Sequence, residues 1–257
     1  EAYIEVARAL ARAEGATGII PAEAAREIDA RASIAMIDKE VLRRETLNVG
    51  YPIVSLVSQL SHQLGEAGRY LHWGATTQDI MDTATVLQFR SALALVERDL
   101  AIIRETLVVL SRRYRDTPMA GRTHLQQALP ITFGFKTAVW LSALDRHAER
   151  LQQLKGRVLV AELGGAVGTL ASLGHDGLRV HDAFAAELGL APASIAWHVA
   201  RDGLVETIQF LALLTGSLGK IGYDVILMAA TEVGEFFEPF AEGRGASSTM
   251  PQKRNPI

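Results

Sequence analysis

The chain of 257 residues holds no cysteine, 22 glycines, 8 prolines, 49% hydrophobic and 21% charged residues, a composition that excludes disordered and fibrous classes and leaves a sizeable core available. Its 26 basic and 29 acidic residues give a net charge of −3, so bulk electrostatics makes no case for a nucleic-acid or anionic-membrane partner, while small anions remain open through local sites. Without cysteine there are no disulfides, thiol nucleophiles or cysteine metal sites.

Apolar residues recur at spacings of three and four almost throughout, and no convincing series of alternating strands is present, so the predicted class is all-α. Short helices are expected near 1–14, 22–32, 36–46 and 52–64, punctuated by Gly15, Pro21, Gly50, Pro52 and Gly65. After Gly74 the scale changes. From Gln78 to about Arg115 there is no glycine or proline, and a helix of that length is roughly 55 Å long at 1.5 Å per residue. Thr76 with Asp79 resembles a capping box at its start. A second long helix is expected from Pro130 to about Leu154, and a third over about 202–234, where Gly216, Gly219 and Gly222 would permit close helix approach. This pattern divides the chain into an N-terminal helical domain, 1–74, and a central long-helix bundle, 75–257. Long rods with apolar residues on several sides point to oligomerisation.

The longest charge-free run, Thr46 to Gly65, carries Asn48, Pro52, three serines, two glutamines and His62, so no transmembrane helix is expected. The chain opens already in helical register and shows no signal-peptide pattern. It reads as an internal piece of a longer polypeptide.

Three polar, glycine-containing segments interrupt the helices: HWGATTQD at 72–79, GRTHLQQALP at 121–130 and GRGASSTMPQKRNPI at 243–257. Loops beside rigid helices commonly carry function. His72 and His124 suit proton transfer near neutrality, although a lone histidine is more often structural. Thr76, Thr77 and Gln78 can bind a carboxylate through hydroxyls, an amide and helix N-terminal N–H groups, and helix capping explains Thr76 equally well. Ser247 and Ser248 lie between two glycines, Gly243 and Gly245, and the pair Lys253 and Asn255. That suits a loop closing on an anion; a solvated basic loop is the plainer alternative.

Other patterns carry less. GGAVG at 164–168 has Leu163 where the first glycine of a dinucleotide fingerprint would fall. GSLGKI at 216–221 lacks the spacing and hydroxyl of a P-loop. There is no HExxH, and His175 and His181 lack accompanying ligands, so no metal site is expected. No GxSxG elbow surrounds Ser247 or Ser248.

Taken together and in this order, the three segments resemble the fumarase/aspartase superfamily, which includes argininosuccinate and adenylosuccinate lyases. SSTMPQKRNP at 247–256 is similar to that family's S-x-x-M-x-x-K-x-N signature, with Ala246 where glycine is usual. Within the superfamily, LHWGATTQDIMDTA, GRTHLQQALPITFG, AWHVARD and GASSTMPQKRNPI look most like the 3-carboxy-cis,cis-muconate cycloisomerases, lactonizing enzymes of protocatechuate degradation. Adenylosuccinate lyases read closer to GRTHGQxAxP, with a glutamine shortly before the RD dipeptide. Here Leu125, Gln126 and Gln127 follow His124, and Trp197 precedes Arg201 and Asp202.

The resemblance implies a fumarase/aspartase-like helical fold, a cytoplasmic homotetramer with each active site built from three subunits, a small polycarboxylate substrate and no cofactor. It implies Ser247 and His124 as catalytic residues, with His72, Thr76, Thr77, Thr123, Arg201, Ser248, Lys253 and Asn255 around the substrate. His124 serves either a cycloisomerase or a lyase. A non-catalytic structural relative is the alternative of another class.

Overall fold

The computed structural model describes residues 1–239 and 241–256; Phe240 and Ile257, the latter closing the third polar segment, lie outside the described residues. The all-α class holds, with one hairpin added. The helices are α1 (Ala2–Thr17), α2 (Ala22–Arg31), α3 (Lys39–Val49), α4 (Ile53–Leu64), α5 (Thr77–Arg113), α6 (Phe133–Val158), α7 (Gly177–Leu188) and α8 (Asp202–Met228), and the strands are β1 (Pro118–Thr123) and β2 (Gln126–Thr132). Contacts divide the chain into two compact units, one of residues 1–98 and 151–207, the other of 99–150 and 208–257.

In the first unit α1 packs on α2 and α7. Leu10, Ile28, Leu60, Leu64, Ile80 and Phe184 are fully buried there, each contributing about 1.5–3 kcal/mol through its burial. Asp38 caps α3, its carboxylate accepting the N–H groups of Glu40 and Val41 at 2.9 and 3.0 Å, which moves the predicted 36–46 helix three residues on. Arg12 reaches Asp29, Glu5 and Glu187 and ties α1 to α2 and α7. Glu14 of α1 is completely buried, and neither of its carboxyl oxygens has a hydrogen-bond partner among the described residues.

In the second unit the sequence expectation needs correcting. Pro130 lies in β2, opposite Ala120 of β1, and α6 starts only at Phe133. A two-stranded ribbon has two edges, where the missing N–H of proline is tolerated. Gly134 sits where the hairpin turns into α6: a Cβ there would come within 2.6 Å of the Ser111 carbonyl oxygen and of Arg115 Cα, so only glycine allows this approach. Trp140 of α6 donates to Asp224 of α8 at 2.8 Å, and His147 bonds Ser217 at 2.8 Å.

Two further expectations change at α8. The helix ends at Met228 rather than near 234, and among the described residues nothing beyond the adjoining residues and backbone of the helix itself lies within 4 Å of a Cβ added at Gly216, Gly219 or Gly222. The helix is also long and apolar enough to cross a membrane by length and composition, with a mean hydropathy of 1.4 over its most apolar stretch and 11% of that stretch buried. Charge-free runs in the sequence pass over this helix, whose few charges, Asp202, Glu206, Lys220 and Asp224, stand towards its two ends.

Candidate active site

The first two turns of α5 present Asp79 and Asp82, three residues apart on one helix face. Both are buried. Asp79 is the hub of the first unit. It accepts the Thr76 N–H at 2.7 Å, the Gly164 and Gly165 N–H groups at 2.9 and 3.1 Å and pairs with His198 Nε2 at 2.6 Å. The Asp79 half of the predicted capping box therefore exists, but the same carboxylate docks three chain segments. The GGAVG run, set aside as a dinucleotide loop, is one of them.

Glu162 lies beside this hub, fully buried. Its Oε2 accepts the Trp197 N–H at 2.6 Å, its Oε1 has no hydrogen-bond partner among the described residues and stands 3.6 Å from His198 Nε2, and its backbone exchanges two hydrogen bonds with the Thr83 hydroxyl. Burial, reinforced by the charges of Asp79 and Asp82 and opposed by the Trp197 N–H and His198, pushes its carboxyl up to about 7. The donor atoms of Asp79, Glu162 and His198 all fall within 4.8 Å of one another. Asp79 and His198 bond each other there, and the rest of the Asp79 carboxylate faces backbone N–H groups, so Asp79 is satisfied as part of a hydrogen-bond network while Glu162 Oε1 is left without a partner among the described residues.

Arg201, one of the residues expected around the substrate, forks onto Asp82 at 2.5 and 2.7 Å. It also donates to the His198 carbonyl at 3.1 Å and lies 5.6 Å from the Trp197 ring centre. Asp82 in turn accepts from Gln78 at 2.8 Å. His72 has a left-handed backbone, φ 64°, and its buried Nδ1 has no partner among the described residues. Burial pulls its imidazole below the ordinary value against the opposing charge of Asp79, which favours the neutral ring. Thr76 and Thr77 are half-buried at the helix start.

The other candidates belong to the second unit. Thr123 ends β1, and His124 opens the link to β2; both are exposed. One residue back, Arg122 forks onto Glu235 at 2.7 and 2.8 Å, and that guanidinium holds the Glu235 carboxyl below its usual range.

The third segment folds on itself. Asn255 donates its backbone N–H and its amide Nδ2 to the Gly245 carbonyl at 2.9 and 3.2 Å, and Ala246 bridges to Arg254. Gly245 has φ 66°, and a Cβ there would meet the Asn255 carbonyl oxygen at 2.3 Å, so this closure requires glycine. Within the ring so formed, Ser247 Oγ accepts the N–H groups of Thr249 and Met250 at 3.3 and 3.2 Å. Ser248 lies beside Thr249, their hydroxyls 3.5 Å apart, and Lys253 is exposed. Two N–H groups converging on a serine oxygen stabilise negative charge on it.

The candidates thus fall in two sets, His72, Thr76, Thr77 and Arg201 in one unit and Thr123, His124, Ser247, Ser248, Lys253 and Asn255 in the other. Asp79, Asp82, Glu162, His198 and Glu235 were not singled out from the sequence as site residues. Glu162 carried a signal, a lone acid inside the apolar run VLVAEL; Glu235 carried none.

A family model described as lyase matches residues 4–257. The chain belongs to the lyase family of the fumarase/aspartase superfamily. Among the relatives of this lyase chain, trans-aconitate decarboxylase 1 of Mycosarcoma maydis is 50% identical over 99% of the chain and 52% of its own length. The 3-carboxy-cis,cis-muconate cycloisomerase of Pseudomonas aeruginosa is 49% identical over the whole chain and 57% of its own length. Two solved structures are similar: a fumarate lyase from Mesorhizobium sp. BNC1, 59% identical, covering 91% of this chain and 55% of that one with a TM-score of 0.87, and the 3-carboxy-cis,cis-muconate lactonizing enzyme of Pseudomonas putida, 45% identical, covering 99% and 58% with a TM-score of 0.94. The lyase chain spans somewhat more than half the length of these relatives.

Proposed function

We propose that the full-length protein is a cytoplasmic, cofactor-independent 3-carboxy-cis,cis-muconate cycloisomerase of aromatic catabolism. The observation that carries this reading is the likeness to the Pseudomonas putida lactonizing enzyme over 99% of the chain at a TM-score of 0.94, and the Pseudomonas aeruginosa relative supports it. In the reaction, one carboxylate oxygen of the substrate forms a C–O bond across a double bond conjugated to a second carboxylate. The displaced electron pair runs onto the oxygens of that second carboxylate, and the carbon next to it then takes a proton. Charge gathers on oxygen before it is quenched, so donors fixed around that oxygen favour the transition state over the ground state.

Ser247 exchanges the proton with carbon, as acid when the lactone forms and as base in reverse. Its oxygen accepts two backbone N–H groups, which support the alkoxide that a free serine would not sustain. Lys253 and Ser248 supply donors to the charged oxygens; Asn255 binds substrate as part of the same segment while its amide closes the ring on Gly245. His124 is the second titratable group of the site, needed less here than in a lyase that expels an amine because the group that adds and leaves is a carboxylate, and Thr123, His72, Thr76 and Thr77 bind substrate carboxylates. Arg201, oriented by Asp82, likewise binds a substrate carboxylate. Each site is completed by three subunits of a homotetramer. The exposed apolar residues of α8, Ile208, Leu213, Tyr223 and Ile226 among them, pack between those subunits, with no membrane or nucleic acid involved.

The test follows loss of the conjugated-diene absorbance when full-length enzyme meets 3-carboxy-cis,cis-muconate in metal-free buffer. Trans-aconitate and adenylosuccinate run in parallel. Rapid diene loss supports the reading, and trans-aconitate decarboxylation or adenylosuccinate cleavage without diene loss moves the assignment to that substrate.

A further inference from the structure

Only His124 and Leu125 lie between Thr123 of β1 and Gln126 of β2, which pair with each other. Both linking residues have positive φ, 51° and 63°. Two-residue hairpin links of this kind match the twist of the strands, and they favour Asn-Gly because asparagine and glycine accept the left-handed region. For a bulky side chain such as leucine the same conformation is a genuine outlier. Leu125 gains little packing in return, since 66% of its surface is exposed. The ribbon below leaves the link little freedom: Pro118 pairs with Thr132 and Arg122 with Gln127, and the Arg122 fork on Glu235 fixes the end of β1. Leu125 is thus held in a disfavoured backbone at an apex beside His124, with no benefit to the fold of this chain. Strained positions that the surroundings enforce cluster where function uses them.

We propose that Leu125 is a specificity-determining residue, its isobutyl group forming an apolar wall against the unsaturated carbon skeleton of the substrate. The inference rests on the placement of His124 in the site proposed above. A diene carries apolar CH groups between its carboxylates, which such a wall contacts; trans-aconitate, also a tricarboxylate, has a shorter skeleton with a single double bond and offers less unsaturated carbon surface at equal charge. The wall therefore selects by carbon skeleton, while the polar groups around it select for carboxylates.

Three variants of the full-length enzyme separate the roles. Leu125→Gly removes both the wall and the backbone conflict, Leu125→Asn keeps a residue that accepts the backbone but makes it polar, and Leu125→Met restores apolar bulk. The glycine and asparagine variants keep the wild-type sedimentation coefficient and thermal midpoint, or exceed the latter. Their kcat/KM on 3-carboxy-cis,cis-muconate falls about tenfold to a hundredfold, the range that separates substrates differing by small apolar groups. The loss appears mainly in KM and exceeds the change for trans-aconitate, measured as substrate or competitive inhibitor; the methionine variant recovers most of the activity. An unchanged kcat/KM in Leu125→Gly overturns the proposal, as does an equal loss towards both ligands. A dissociated oligomer overturns it too, because it assigns Leu125 to subunit packing. Active wild type with unaffected variants defeats this inference alone, whereas wild type silent on the diene defeats the functional reading and this inference with it.

Discussion

Glu14 of α1 gives the sharpest quantitative test of the packing account. Its carboxyl group is fully buried, with both oxygens unpartnered among the described residues, and burial pushes it from an ordinary 4.5 up to about 9. Between those values the folded chain keeps a proton that the unfolded chain releases, so stability falls as pH rises. At about 1.4 kcal/mol per unit, the penalty at pH 7 is about 3 kcal/mol relative to a group that stays neutral, and the loss between pH 5 and pH 8 is about 4 kcal/mol. Glu14→Gln keeps the shape and removes the ionisation. In urea unfolding at pH 5, 6.5 and 8, the two proteins differ little at pH 5, and the variant becomes progressively more stable as pH rises. Taking the difference cancels the other titrating groups, which both proteins share. A stability difference that does not grow with pH would refute the reasoning, because Glu14 would then be charged and solvated in the folded state.

Two further outcomes follow from the buried network. Asp79→Ala leaves the Gly164, Gly165 and Thr76 N–H groups and His198 without their acceptor and lowers stability by about 3–5 kcal/mol, the usual result of breaking a buried pair; thermal unfolding checks it, and a midpoint equal to wild type contradicts the hub. Glu162 binds its proton more tightly folded than unfolded, so its contribution favours the fold at low pH and weakens as pH rises from the ordinary carboxylate range towards about 7. Glu162→Gln removes that part of the pH dependence while keeping an oxygen for the Trp197 N–H, which urea titrations at pH 5 and pH 7.5 detect.

The long helices were legible because a three-and-four apolar periodicity sustained without glycine or proline buries a continuous stripe only in a helix, and α5 falls within two residues of its expected ends. The hairpin was not legible. Its strands carry Pro118, Gly121 and Pro130, and their pairing, Ala120 with Pro130, is a tertiary fact that local propensity does not contain. Of the three polar segments only 72–79 meets a helix end, at the start of α5, where capping chemistry is local; 121–130 lies in the hairpin and 243–257 lies beyond the end of α8 at Met228. The partners of those segments were invisible: nothing near Arg201 in the sequence announces Asp82, 119 residues away, and nothing near Arg122 announces Glu235, 113 residues away. Asp79 looked like a helix cap, and that local contact is present, but its larger role arises from Gly164, Gly165 and His198 arriving from distant parts of the chain.

The most direct measurement is diene loss from 3-carboxy-cis,cis-muconate by full-length wild type and Ser247→Ala, with sedimentation of both. Rapid turnover by wild type, a fall of at least about a thousandfold in kcat for an intact Ser247→Ala oligomer, and no need for added metal or cofactor are the predicted results, a loss of that size being typical when a group acting in the transition state is removed. Wild-type turnover by Ser247→Ala would contradict the assigned proton-transfer residue, and wild type silent on the diene would contradict the proposed reaction itself.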